Sequence, residues 1–318
     1  MHKRTIFERI SRATHYIDGS DLVYIENPKV ACSNIKWSLI REYRPEVLES
    51  INRIHDRRET PFVRQYSDIV KLLKKPAKNT FSVVRHPRKR FVSAYFDKMF
   101  EGRDQSVWNL ISDFLSLDPN KVYEPKPILE RLVNSSKQDL DPHVACQHTN
   151  LFWGALPFTK VFHLESLDRN DTKLSFSDFT LSVVDRQSHS TSAKVNAALF
   201  DDEAFGMIDL LYEQDYDFFN YSPESEKPIK EISVPECRSF FLDFLDDGRP
   251  IQYLKDFFEE GPQKLTPLET EAVIDRISRQ SLWNKMPHRL IDFIIVRNAI
   301  QQRDNIDRFN YYYKEFPS

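Results

Sequence analysis

The sequence predicts an α/β fold, a parallel sheet flanked by helices and followed by a helical C-terminal extension. Three observations carry that expectation. The short run at 22–25 is apolar on both sides, as a strand buried in a parallel sheet is, 81–84 reads as a second buried strand and 160–164 as a third strand. Stretches of helical periodicity alternate with them, which favours a sheet covered by helices. Two of the runs lead through turns rich in cations and hydroxyls straight into amphipathic helices.

Taken in order, residues 1–20 form a polar lead-in with one helix ending near Gly19. The strand at 22–25 is followed by a helix over 34–43, with Ser33 or Asn34 as N-cap and a stop before Pro45. The strand at 81–84 feeds a helix over 88–100. Pro87 stands near its first position, where the missing N–H costs nothing. Phe91, Tyr95 and Met99 share one face of it at spacing four. Helices over 107–117 and 128–133 belong to a covering layer. A third strand at 160–164 precedes Glu165, and a helix over 205–215 leads into Asp217-Phe218-Phe219-Asn220-Tyr221. The stretch 222–228 reads as a linker. Helices are expected at 238–244, 253–258 and 290–300. The domain expectation is therefore 1–221 for a catalytic domain and 222–318 for a helical extension that packs, mediates a homo-oligomer or binds an acceptor.

Composition narrows the function classes. With 318 residues the chain can bury a full core. A formal net charge of −3 offers no global basic field for nucleic acid. Three cysteines make no disulfide framework and suggest a reducing compartment. No membrane span or signal peptide is legible, so a soluble, cytoplasmic protein is expected. Only six glycines occur, and no Gly-x-x-x-x-Gly-Lys-[Ser/Thr] string is among them, which weakens an ATP or GTP reading.

The two strand–turn–helix segments carry the chemistry. Each places free backbone N–H groups and a helix N-terminus at one point, where an anion can sit. Two such points in one sheet suit a ligand with two separated phosphate-type groups. The first segment runs Pro28-Lys29-Val30-Ala31-Cys32-Ser33-Asn34 and continues to Lys36. The second runs Val84-Arg85-His86-Pro87-Arg88-Lys89-Arg90 and continues to Ser93 and Tyr95.

In wording, both segments resemble the sulfotransferases, in particular the carbohydrate O-sulfotransferase (sulfotransferase family 2-like) branch. The resemblance spans roughly 22–221, ending in a Leu-Tyr-x-x-Asp-Tyr-type segment at 211–221. It implies a P-loop-kinase-like core and 3′-phosphoadenosine 5′-phosphosulfate (PAPS) as co-substrate, with no metal. Residues 28–34 and Lys36 would hold the 5′-phosphosulfate, with Lys29 stabilising the charge that develops on the leaving phosphate. Arg85 and Ser93 would grip the 3′-phosphate, Arg through its planar fork. The acceptor would be a hydroxyl, most simply on a glycan or glycolipid.

Each residue has a plainer reading. Lys29 and Lys36 could be solvated lysines, and Ser33 and Asn34 only N-caps. Arg88, Lys89 and Arg90 could form a solvated basic face. Three cations in a first helical turn oppose the dipole, however, and an anion docked there would compensate. An acceptor hydroxyl needs a base, and His55 and His143 are the two candidates. His55 lies between the donor segments, where heparan-type relatives carry a catalytic histidine. His143 lies in Asp141-Pro142-His143-Val144-Ala145-Cys146-Gln147, similar to an Asp-x-His-Trp-x-Pro-Gln segment of the family. His86 reads as structural, and Glu165 either orients a base or makes a structural ion pair. His143, Cys146 and His148 lack a fourth ligand for zinc. Trp108, Tyr123 and Trp153 could stack on sugar rings or belong to the core, and Arg57, Arg58 and Arg64 could meet an acidic glycan. The rival functions are a nucleotide kinase-like phosphotransferase and a non-catalytic scaffold.

Overall fold

The computed structural model describes residues 6–74, 79–100, 104–135, 140–167, 172–184 and 199–237, together with Leu242 and Glu269. The expected helices at 238–244, 253–258 and 290–300 lie outside these residues but for Leu242. In chain order the first elements are α1 (Ile6–Ala13), β1 (Thr14–Tyr16), β2 (Leu22–Ile25), α2 (Cys32–Tyr43), α3 (Tyr66–Leu73), β3 (Asn79–Val84) and α4 (Pro87–Lys98). There follow α5 (Gln105–Phe114), α6 (Pro125–Val133), α7 (Gln147–Asn150), β4 (Lys160–His163), β5 (Lys173–Ser175), β6 (Thr180–Ser182), α8 (Asp202–Leu211) and α9 (Glu213–Phe218).

Two compact units divide the chain. One comprises Met1–Arg12, Gln65–Pro76 and Cys237–Ser318, and the other Ala13–Arg64 and Ala77–Glu236. Within the first, Ile6 and Ile10 are buried one turn apart on α1, and Ile69, Val70, Leu72 and Leu73 are buried on α3.

The larger unit holds an α/β sheet of order β1-β2-β3-β4. β1 is antiparallel to β2, while β2, β3 and β4 run parallel. All four residues of β2 and the last five of β3 are buried, as the apolar runs require. Tyr24 pairs with Phe81 and Val84 with His163, so the loops after β2 and β3 leave the same edge of the sheet side by side. The Ser82 hydroxyl donates to the Ile25 carbonyl at 2.7 Å and fixes their spacing. In open α/β sheets the carboxyl ends of the strands are where ligands bind. Phe91 and Tyr95 on α4 and Met99 just after it are fully buried, and α8 packs against α4 and α6.

Four local expectations are corrected. The lead-in is not one helix: α1 ends at Ala13 and the chain turns into β1. α2 starts at Cys32, with Ala31 rather than Ser33 or Asn34 as N-cap and no side-chain cap bond. The left-handed backbone at Ala31 sets the start instead, and the Ile35 N–H donates to the Ala31 carbonyl at 3.1 Å. The 205–215 helix breaks at Tyr212, whose hydroxyl is drawn to the Val144 carbonyl at 2.7 Å. Leu164 opens a 3₁₀ turn instead of extending β4.

Candidate active site

The first loop joins β2 to α2. Lys29 and Ala31 take φ of 72° and 63°, while Val30 between them does not enter the left-handed region. Such alternation costs about 1 kcal/mol or more per non-glycine residue and turns backbone N–H groups into a concave, anion-accepting face. That face stands at the N-terminus of a 12-residue helix. Pro28, Cys32, Ser33 and Asn34 are partly exposed around it, and Val30 anchors the loop in the core. The Lys29 ammonium pairs with Asp97 at 2.8 Å. Burial lowers its pKa, with Asp97 opposing the shift. Burial and the neighbouring Glu26 push the Cys32 thiol up to about 11, so it is no thiolate at neutral pH.

The second loop, Arg85-His86, joins β3 to α4. Gln147 locks it to the first. Its side-chain oxygen accepts from Asn27 Nδ2 at 2.8 Å and from the Arg85 N–H at 3.0 Å, and its Nε2 donates to the Arg85 carbonyl at 2.8 Å. Asn27 also donates to the Val83 carbonyl, while its Oδ1 is buried with no partner among the described residues. The Arg85 guanidinium donates to the Lys29 carbonyl at 3.3 Å, which joins the two loops directly. Ser93 sits further along α4 at 8% exposure.

The cations opening α4 are compensated internally, which corrects the argument that their dipole penalty calls for a docked anion. Arg88 forms a two-pronged pair with Asp209, and Lys89 pairs with Glu226. Arg90 is buried and donates to the carbonyls of Pro28, Ala145 and Pro142 at 3.0, 2.8 and 2.8 Å. Glu165 accepts from the His86 N–H at 2.9 Å and from the Tyr221 hydroxyl at 2.7 Å. It therefore caps α4 and anchors Tyr221, contacting neither a candidate base nor Lys29. His86 is buried between Tyr216 and Tyr221, in keeping with a structural role.

A charged network backs the first loop. Lys36 is not solvated: it is 1% exposed, and its ammonium reaches Glu26 at 3.1 and 3.2 Å. Glu26 holds His15 at 2.6 Å on its other side. Burial would raise the Glu26 pKa, but Lys36, His15 and His55 together hold it well below the usual carboxylate range. His55 lies 2.7 Å from Lys36 through Nδ1 and 2.8 Å from Ser33 through Nε2. His143 Nδ1 lies 2.7 Å from Asp141. Arg90, bound to both Pro142 and Pro28, holds His143's segment beside the start of the Lys29 loop. Glu26, Asn27, Asp97 and Gln147 are site residues that were missed. Only the Asn27-Pro28 turn dipeptide and the Gln of the 141–147 segment signalled any of them.

Among the described residues, two groups could offer ligands to a cation: Glu26, Cys32 and His55, and Cys146, His148 and Asp215. The first encloses the Lys36 ammonium. In the second, Asp215 accepts the N–H groups of Gln147 and His148 and the His148 ring, so it serves α7. Trp108 is core, its indole donating to the Pro119 carbonyl. Tyr123 and Trp153 are half-buried, with Trp153 edge-on to Phe219. Arg57 is spent on the Thr14 and Val63 carbonyls, and Arg58 pairs with Asp56.

Residues 14–150, which contain both loops, His55, Asp141, His143 and Gln147, match the family model Sulfotransfer_2, described as "Sulfotransferase family". No curated protein and no solved structure matches the chain.

Proposed function

We propose, from the match of residues 14–150 to the sulfotransferase family model, that the protein transfers a sulfuryl group from PAPS to a hydroxyl acceptor, most simply on a carbohydrate. When bound, PAPS supplies an activated sulfuryl group on a phosphate leaving group. One observation supports this donor above the others: two strand–turn–helix loops leave adjacent parallel strands, and Gln147 and Arg85 bind them to each other.

The concave backbone at 28–34, with Ser33, faces the 5′-phosphosulfate in this reading. Lys29 holds its charge beside the bridging oxygen, where negative charge grows. Arg85 and Ser93 take the 3′-phosphate, which selects PAPS over ATP. Lys36 acts from behind, compensated by Glu26. A histidine receives the acceptor's proton. The carbohydrate class rests on the likeness of the two loops to carbohydrate O-sulfotransferases.

Calorimetric titration with 3′,5′-ADP, ADP and ATP tests the donor assignment on wild type, Arg85→Ala and Ser93→Ala. The expected result is selective binding of 3′,5′-ADP, weakened by about tenfold or more in Arg85→Ala, the loss of one charged hydrogen bond. Equal affinity for all three nucleotides would promote a kinase-like phosphotransferase, and no binding a scaffold.

A further inference from the structure

His55 touches the first loop through Ser33, Arg90 ties the neighbour of His143, Pro142, to Pro28 at the loop's start, and the partners of the two histidines impose opposite tautomers. Lys36 Nζ lies 2.7 Å from His55 Nδ1. An ammonium has only protons to give, so Nδ1 accepts and the ring proton sits on Nε2, 2.8 Å from Ser33 Oγ. His143 is the reverse. Its Nδ1 lies 2.7 Å from Asp141 Oδ1, and a carboxylate can only accept. Its ring proton therefore sits on Nδ1, and Nε2 keeps the lone pair. Asp141 Oδ1 also accepts the His143 backbone N–H at 2.9 Å, which fixes the ring's base to the same oxygen.

We propose, resting on the sulfotransferase reading above, that the two histidines divide the work: His143 Nε2 takes the acceptor's proton, Asp141 is its positioning residue, and the His55 Nε2–H donates to the 5′-phosphosulfate beside Ser33. In the transfer, a bond forms between the acceptor oxygen and sulfur while the bond from sulfur to the bridging oxygen breaks. The bridging oxygen leaves with the electron pair on 3′,5′-ADP. The acceptor's proton passes to His143 Nε2 and from there to solvent.

The surroundings of His55 agree with its role as a donor. Facing it are Lys36 of α2, Glu26 after β2 with its carboxylate 3.8 Å away, His15 of β1 and Lys98 at the end of α4. Burial and the Lys36 charge push its pKa down to about 4. A ring that sheds its proton so readily is a poor acceptor for an alcohol's proton at neutral pH. His148 has the same kind of pair as His143, but its Asp215 is the cap of α7 and its ring packs edge-on against Phe218.

Imidazole ¹⁵N spectra of the full chain across about pH 4–8 report the tautomers directly, assigned with His55→Gln and His143→Gln. The expectation is an Nε2–H ring at His55 that stays neutral to about pH 5, and an Nδ1–H ring at His143 when neutral. Calorimetry with 3′,5′-ADP should show His55→Ala binding about tenfold more weakly. His55→Gln, whose amide N–H replaces the Nε2–H, should recover most of that loss. His143→Gln should keep affinity within about twofold. Hydrolysis of PAPS, with water standing in for the acceptor, should fall by about 100-fold in His143→Gln, the usual worth of a general base. Asp141→Asn should lower kcat without changing the KM for PAPS.

An Nδ1–H ring at His55, its titration near neutrality, or turnover lost in His55→Gln but kept in His143→Gln would each overturn the division of roles while 3′,5′-ADP still bound. Absence of 3′,5′-ADP binding by wild type would instead overturn the donor reading, and this inference with it. The tautomer spectra decide the point even where hydrolysis is too slow to follow.

Discussion

Gln147→Glu isolates the bond that ties the two loops. The side chain is fully buried, and the substitution changes its volume hardly at all, so no cavity contributes. The oxygen accepting from Asn27 and from the Arg85 N–H is retained. The group that changes is the Nε2 donor, 2.8 Å from the Arg85 carbonyl. At pH 8 it becomes a carboxylate oxygen facing a carbonyl oxygen. One hydrogen bond worth about 1 kcal/mol is lost, and a buried charge without a cation is added, for a total of about 3–4 kcal/mol. When protonated, the same group regains an O–H donor for that carbonyl.

Burial and the carbonyl both favour the neutral acid, so the folded-state pKa of the introduced carboxyl lies above its unfolded value of about 4.3. A raised folded pKa gives stability that is fully present below the unfolded pKa and lost as pH rises through the folded one. At about 1.4 kcal/mol per pKa unit, a deficit of about 3 kcal/mol corresponds to a shift of roughly two units. Urea unfolding of variant and wild type side by side should thus show a deficit under about 1 kcal/mol near pH 4.5 that reaches its full value above about pH 7. Gln147→Leu, which removes all three bonds, should lose about as much at every pH. An equal deficit for Gln147→Glu at both ends of the range, or none at pH 8, would refute the bonding assigned to Gln147.

Arg90→Lys should cost about 2–3 kcal/mol in denaturant unfolding, because an ammonium serves one of the three carbonyls that the buried fork serves together. Glu26→Gln leaves the buried Lys36 without its counter-charge, and a melting-temperature loss equivalent to about 3–5 kcal/mol is expected. Burial depresses the His15 pKa to about 4 from the ordinary 6.5, with Glu26 opposing. Its contribution is present above about pH 6.5 and lost as pH falls toward 4, so the melting temperature should decline across that window, less steeply in His15→Gln. Asp97→Asn frees Lys29 from its carboxylate and should tighten 3′,5′-ADP binding several-fold, an effect of about 1 kcal/mol for this partly buried pair. Weaker calorimetric binding would refute a donor role for Lys29.

The sequence by itself determined what rests on near neighbours. The run at 22–25 is apolar on both sides and 81–84 reads as a second buried strand, so β2 and β3 were legible as buried parallel strands. The turns that follow them were legible as strand–turn–helix junctions because strand, turn and helix are contiguous. α4 was legible from Pro87 and the spacing of Phe91, Tyr95 and Met99. Short edge elements were not. β1 is three residues long and half polar, and β5 and β6 offer a single buried leucine each. Their pairing, not their composition, makes them strands. The start of α2 was misjudged because Ser33 and Asn34 are good caps in isolation, while the loop's left-handed turn at Ala31 had already begun the helix.

Only the tertiary structure decided which charges meet. Gln147 reaches Asn27 across 120 positions, and Lys29 reaches Asp97 across 68. No local pattern encodes such pairs, since they depend on the crossovers that bring the strand ends together. The same holds for the cations of α4, which as a sequence looked like an invitation to an anion and in the fold are each spoken for. The histidines show both levels. Asp141 meets the His143 Nδ1 from two positions upstream, a local pairing, whereas only the fold brings Lys36 against the His55 Nδ1. Because an ammonium can only donate and a carboxylate can only accept, these partners set which ring nitrogen holds the proton.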